Sequence, residues 1–306
     1  MFYSLSLTKL STFVIFIMSA FVAHFRGKVK YKPIRQLTDH STFMAPINCF
    51  MYMFSKVPTT PYLDRGLFPD LEIFKDNWQI IRGEALQLLE QGSIKASEKH
   101  DDMGFNSFFR RGWKRFYLKW YNDPLPSAAA TCPKTLELIA KVPSVNAAMF
   151  TFLPAGSRLG LHRDPYAGSV RYHLGLITPN SDECFIEVDG QRYAWRDGED
   201  VLFDETYLHQ AENQTNVDRL IFFCDVARPM SNRLATFMRW FFGRFFITAA
   251  AAQNTDKDPI GVLNQIFKYI FVFHTATRGV KLNYPLLHKI LKFGFFGSLV
   301  YLIFIW

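Results

Sequence analysis

Cysteine is scarce in this 306-residue chain: Cys49, Cys132, Cys184 and Cys224 stand singly, with no CxxC pair. That spacing excludes a disulfide framework and a structural zinc knuckle, and it suits a reducing compartment with the thiols serving as small buried hydrophobes. Glycine and proline, at 17 and 15 residues, are too few and too irregular for a collagen-like chain. No internal repeat or low-complexity tract is visible. Disorder is excluded by what is plentiful, since 49% of the residues are apolar and 17% aromatic, 32 of them Phe.

Acidic residues are also in deficit, 27 against 35 Lys and Arg, for a formal net charge of +8. A uniformly basic chain would point to nucleic acid, but this one is not uniform. Residues 1 to 40 carry six basic side chains against Asp39 alone, residues 231 to 306 carry nine against Asp256 and Asp258, and residues 41 to 230 carry twenty against twenty-four acids. The excess belongs to two apolar ends around a mildly acidic middle, a pattern that predicts a membrane bilayer as partner and no nucleic acid.

From Phe2 to Phe25 the only charge is Lys9, long enough for one crossing, which needs about 20 residues. A cleaved signal peptide is the rival, but a cut after Ala23 would put the bulky Phe21 where a small residue belongs. Arg26, Lys28, Lys30, Lys32 and Arg35 follow the segment, an asymmetry that retains the rest of the chain on the cytoplasmic side. At the other end, Leu286 to Trp306 closes with 14 uncharged residues and either crosses or dips into the bilayer. Segments 234 to 250 and 260 to 273 alternate aromatic runs with single basic residues, and either lie in the interface or pack on the soluble domain.

Residues 33 to 67, with Pro33, Pro46, Pro58 and Pro61, read as an irregular lead-in. Helical spacing of Trp78, Ile81, Ala85, Leu88 and Leu89 predicts a helix within 69 to 90, capped at Asp76 or Asn77. GWKRFYLKWY (112 to 121) alternates like a strand, and CPKTLELIAKV (132 to 142) predicts a short helix opened by Pro133. From Ala147 onward short strands alternate with turn signals such as Asp189-Gly190 and Asp197-Gly198. The fold class expected is mainly β with flanking helices, a sandwich or jelly roll.

His162 and Asp164 are two apart, so an extended segment puts both on one face. A third ligand from another strand would complete a set of two His and one carboxylate that leaves positions open and suits non-heme Fe(II). His209, 45 residues after Asp164 and beyond the strand-like VLFDE (201 to 205), is the candidate. Arg219 opens the apolar LIFFCDV run (220 to 226), where a guanidinium is costly unless an anion meets it. That anion is either a bound dicarboxylate or an internal partner such as Asp204 or Asp225. Arg171 and His173 share a strand face and add a cationic edge.

The run HRDPYAGSVRYHLGL (162 to 176), followed by GQRYAWRDGEDVLFDETYLHQAENQTNVDRLIFFCDVARP (190 to 229), resembles the aspartyl/asparaginyl β-hydroxylase family of Fe(II)- and 2-oxoglutarate-dependent dioxygenases; FPDLEIFKDNWQIIRGEAL (68 to 86) and GWKRFYL resemble its upstream elements. The resemblance implies a double-stranded β-helix, with Fe(II), 2-oxoglutarate and O2 as its cofactors. It implies His162, Asp164 and His209 as metal ligands, Arg219 and Thr151 at the distal carboxylate of 2-oxoglutarate, and Arg171 and His173 beside the cofactor or substrate. The animal peptide hydroxylases of the family have Gly where this chain has Asp164, so the third ligand follows the wider superfamily and the peptide-substrate rules transfer poorly. An anchor at one end and an apolar segment at the other resemble the bacterial branch that hydroxylates an acyl chain of lipid A at its 2-position.

The division expected is a membrane anchor with basic flank at 1–32, the lead-in at 33–67, a dioxygenase domain at 68–230, and interfacial helices with a C-terminal membrane segment at 231–306. The expected location is a bacterial inner membrane with the catalytic domain facing the cytoplasm. Two other functions fit the same chain, an aspartyl or asparaginyl side-chain hydroxylase and a non-catalytic lipid-binding scaffold. His24, His274 and His288 read as interfacial, His40 and His100 as surface residues, and the basic residues of 110 to 115 either greet lipid phosphates or form a solvated face.

Overall fold

A computed structural model describes residues 7–97, 102–121, 123–276 and 278–304, which leaves His100 and the last two residues of the C-terminal segment outside the description. Its core is β-rich. Strands β1 (Tyr62–Leu63), β2 (Lys114–Trp120), β3 (Val145–Leu153), β4 (Arg158–His162) and β5 (Ser169–Ile177) are followed by β6 (Cys184–Val188), β7 (Gln191–Ala194), β8 (Asp200–Phe203), β9 (His209–Asn213) and β10 (Arg219–Ala227). They form two antiparallel sheets, one ordered β1-β8-β5-β10-β3-β2 and the other β4-β9-β6-β7. The eight strands from β3 pass back and forth between the sheets in the manner of a jelly roll. The turns between them fall at the anticipated signals, with Asp189 at φ 51° followed by Gly190 at φ 79°, a left-handed pair suited to a two-residue hairpin.

The large sheet is buried on both faces, which is why LIFFCDV reads as a continuous apolar run. Phe222, Tyr172 and Phe150 point outward, where Phe74 packs on the first two, while Thr151, Arg171, His173, Arg219, Ile221 and Phe223 line the inner cavity. The helix expected within 69 to 90 is two, α4 (Glu72–Asp76) and α5 (Trp78–Glu90), the latter packed on β5. Asn77 does not cap the second; its side-chain amide donates to the Ile73 carbonyl, 2.8 Å away, and ends the first. Short helices α6 (Asn106–Phe109), α7 (Pro126–Thr131) and α8 (Pro133–Ala140) follow, the last opened by Pro133 as expected.

Upstream, α1 (Leu7–Phe25) leads through α2 (Pro33–Leu37) to α3 (His40–Met53). The lead-in is therefore not irregular. Asp39 caps α3 through a 3.0 Å bond from the Ser41 amide, and the missing donor at Pro46 is offset by burial of Ala45 and Met51 and by Asn48. Asn48 donates to the Pro165 carbonyl and accepts from the Ala167 amide, fixing the loop that follows Asp164.

Beyond the sheets come α9 (Arg233–Phe242), α10 (Val262–Ala276), α11 (Arg278–Asn283) and α12 (Pro285–Phe304). Among the described residues one helix, α1, has the length and apolarity to cross a bilayer, with 6% of its 18-residue apolar window buried. It packs along α3 and touches α12. The segments at 234 to 250 and 260 to 273 are partly docked. Ala235 is buried with Met51 and Tyr166 while Leu234, Phe237 and Trp240 face outward. The side chain of Asn254 pairs with both backbone groups of Tyr117 on edge strand β2, which covers that edge.

Candidate active site

Strand pairing assembles the chemistry. His162, the last residue of β4, stands opposite His209, the first of β9, after a register shift that follows Leu159. Their ring centroids are 4.2 Å apart, and Asp164 Oδ1 lies 3.9 Å from His162 Nε2. One ligand atom from each of the three falls within 4.8 Å of the others. Each imidazole is aimed by its own chain: His162 Nδ1 lies 2.8 Å from the Gly160 carbonyl, and His209 Nδ1 lies 2.9 Å from that of Tyr207. With Nδ1–H donated there, Nε2 is left as a free lone pair, the arrangement by which backbone carbonyls orient metal-bound histidines.

The protonation states agree with that use. Burial lowers both histidines, His209 to about 3 with the His162 imidazole adding to the effect, so both rings are neutral. Burial alone would raise the Asp164 carboxyl, but Arg171 and the two imidazoles hold it below its ordinary value. Two neutral nitrogens and one carboxylate are the donor set a divalent iron needs, and the residues fit the ion.

Arg171 is engaged from three sides, by Asp164 at 2.7 Å, by Asp225 at 2.9 Å and by Glu205. Three ionised carboxylates about one guanidinium would leave surplus negative charge in a dry place. Burial and mutual repulsion accordingly raise the Glu205 and Asp225 carboxyls. The sequence, which sets Arg171 beside the cofactor or substrate, does not show these partners. Arg171 stands directly opposite Asp225 across the β5–β10 pair.

Arg219 is the contrast. Only 2% exposed, it has no carboxylate partner among the described residues; its guanidinium lies 4.3 Å from the Trp195 ring centre and 3.4 Å from Thr151 Oγ1. The internal ion pair is thus excluded, since Asp225 serves Arg171 and Asp204 serves Arg26 and Arg228. Burial pulls Arg219 down to about 10, still cationic at neutral pH. His173 is buried among Trp195, Phe203 and Phe223 with neither ring nitrogen hydrogen-bonded, and burial with two nearby guanidiniums keeps it neutral.

All seven anticipated residues line one cavity. Its other wall was not anticipated. Phe105, Phe108 and Trp113 close it on the β2 side, with Phe108 set edge-on to His162 at 4.7 Å. Aromatic residues are so common in this chain that nothing in FNSFFRRGW distinguished these from core. Of the histidines set aside, His40 proves less remote than expected, with Nε2 2.9 Å from the Arg163 carbonyl.

Against known proteins, the family model described as aspartyl/asparaginyl beta-hydroxylase matches residues 75–229, half of the chain. The chain belongs to this family. An ornithine lipid ester-linked acyl 2-hydroxylase of Rhizobium tropici is 32% identical over 190 residues, 61% of this chain and 67% of that protein. The human aspartate beta-hydroxylase domain-containing protein 2 is 29% identical over 189 residues, 58% of this chain and half the length of that relative. Among solved structures, a Pseudomonas putida prolyl-4-hydroxylase aligns at a TM-score of 0.34 and 14% identity, covering 50% of this chain and 87% of that one.

Proposed function

We propose that this hydroxylase depends on Fe(II) and 2-oxoglutarate and oxidises the 2-position of a fatty acyl chain of lipid A. The observation that carries the reading is a single cavity in which a His-Asp-His set, an unpaired buried guanidinium and an aromatic wall meet. When bound, iron with 2-oxoglutarate and O2 supplies the oxidising power for C–H hydroxylation. The protein supplies position. His162, Asp164 and His209 hold the ion, and Arg219 with Thr151 receives the distal carboxylate of the co-substrate through charge-assisted bonds. Arg171 fixes the Asp164 carboxylate, and His173 offers its unbonded nitrogens to what enters. Phe105, Phe108 and Trp113 seat an acyl chain and exclude water from it.

A lipid substrate is supported by the R. tropici relative and by the apolar α1, and the basic flank after α1 favours a catalytic domain on the cytoplasmic face of a bacterial inner membrane. In this reading α12 is the second membrane segment. Tethering raises the effective concentration of a target that stays in the bilayer. Mass spectrometry of lipid A from cells with and without the protein tests the proposal. The expected product is one acyl chain heavier by one oxygen, lost in the His162→Ala, Asp164→Ala double variant while membrane localisation persists. An unchanged lipid A profile refutes the substrate, and a newly oxidised Asp or Asn in a membrane-associated protein would identify the family's peptide chemistry instead.

A further inference from the structure

The 2-position of an acyl chain is one bond from the acyl carbonyl. When that carbon stands at the metal, the lipid's headgroup must stand at the mouth of the cavity while the chain runs along the aromatic wall. The cavity is lined by Leu159 and His162 of β4, an edge strand of the four-stranded sheet, which ends in His162. Two arginines lie beside consecutive residues of that strand, Leu161 and Gly160. Arg35, from the basic collar after α1, donates from Nη2 to the Leu161 carbonyl at 2.9 Å and lies over the Tyr31 ring at 3.8 Å. The Arg111 guanidinium lies beside Gly160, in van der Waals range of where a Cβ would stand, with Nη2 3.7 Å from that point. Both arginines are exposed, and among the described residues neither has a carboxylate partner.

The two come from segments 76 residues apart in the chain yet converge within three residues of a metal ligand, Arg35 by a bond to the backbone. Of the other described arginines near the site, Arg26, Arg171 and Arg228 are engaged by acids, Arg219 lies inside the cavity, and Arg163 is buried and donates to the Ala23 carbonyl at 2.7 Å. We propose that Arg35 and Arg111 form a clamp on the rim that takes an anionic group, a phosphate on the lipid headgroup, and so selects which membrane lipid offers its 2-carbon to the metal. Guanidiniums suit this task, because their planar forks bind phosphate oxygens in pairs.

This inference rests on the lipid reading above and is tested so that the two fail separately. Full-length protein in neutral-detergent micelles, which removes any general attraction to an anionic bilayer, is given lipid A or the same lipid with its phosphates removed. For wild type, dephosphorylation should raise the KM for lipid at least tenfold. Arg35→Gln with Arg111→Gln should raise the KM for phosphorylated lipid by a similar factor and leave little difference between the two lipids, with the KM for 2-oxoglutarate unmoved. Because both side chains are exposed, an unchanged melting temperature will show that the variant folds. If wild type oxidises both lipids with one KM, or the variant keeps the wild-type KM, the clamp is overturned and the lipid reading stands. If wild type oxidises neither lipid while turning over 2-oxoglutarate, both are overturned.

Discussion

Arg26 and Asp204 form a buried ion pair of 2.5 Å that ties the chain just after α1 to the loop before His209. The Arg26 guanidinium lies 3.9 Å from the ring centres of both Tyr52 and Tyr207 and also donates to Thr206. Tyr207 is the residue whose carbonyl orients His209. Removing Arg26 therefore loosens two things at once. Arg26→Ala should cost about 3 kcal/mol of stability, the usual penalty for breaking a buried pair from one side. It should also weaken Mn(II) binding, used as a stand-in for Fe(II), by about tenfold, as loss of a ligand-orienting contact does. Denaturation and a Mn(II) titration read the two effects; a variant that unfolds earlier but binds Mn(II) as wild type would show that the pair is structural only.

Asp204 gives the pH dependence. Burial alone would raise its carboxyl, but Arg228 and Arg26 overturn that and hold it at about 2, against 3.8 for an ordinary Asp. A group depressed in the folded state contributes stability that is complete above its unfolded value and is lost as pH falls toward its folded value. The contribution is roughly 2 kcal/mol, present above about pH 4.5 and lost between there and pH 2. Urea unfolding of wild type from pH 6 to pH 3 should show this loss, and Arg26→Gln, with one guanidinium fewer on Asp204, should show a shallower one. Parallel curves would assign the acid sensitivity to other carboxylates.

Arg219 should reveal a conflict between stability and function. A buried guanidinium without a counter-anion is a cost to the fold, so Arg219→Met should leave the protein without co-substrate as stable as wild type or about 1–2 kcal/mol more stable. The same change should raise the KM for 2-oxoglutarate by about a hundredfold, the loss expected when a charge-assisted pair is removed. Added 2-oxoglutarate should raise the melting temperature of wild type and not of the variant. A destabilised Arg219→Met protein with normal co-substrate binding would show that the cation serves packing against Trp195.

Much of this site was legible because its signals are local or periodic. HRD with a His 45 residues on puts two candidate ligands on one extended segment and a third beyond a strand, and the pairing of β4 with β9 brings the three together. Arg219 announced itself by standing before an apolar run. What could not be read depends on partners distant in the chain. Arg26 looks like Lys28, Lys30 or Lys32 in sequence, and nothing local shows that it alone turns inward between two tyrosines. The His40–Met53 helix was hidden by Pro46, because the packing that offsets the missing donor comes from α1 and from the loop after Asp164. The three acids about Arg171 were likewise hidden, since they come from the loop after His162, the β8–β9 loop and β10.

Phe108 bears on the substrate most directly. Its ring stands edge-on to His162 at 4.7 Å and forms part of the wall along which an acyl chain would run. If that wall seats the chain, Phe108→Ala opens space beside the metal that water can fill, and the substrate carbon loses its support. The expected result is a fall of about tenfold or more in kcat/KM for lipid, the loss of roughly 1.4 kcal/mol or more of contact in the transition state. Consumption of 2-oxoglutarate should persist, so that succinate formed per hydroxylated lipid rises well above one. Phe108→Leu, which keeps most of the apolar bulk, should restore coupling in large part. Were the ratio to stay at one in Phe108→Ala, the acyl chain must approach the metal from another wall, and the aromatic cluster would be core packing rather than a substrate surface.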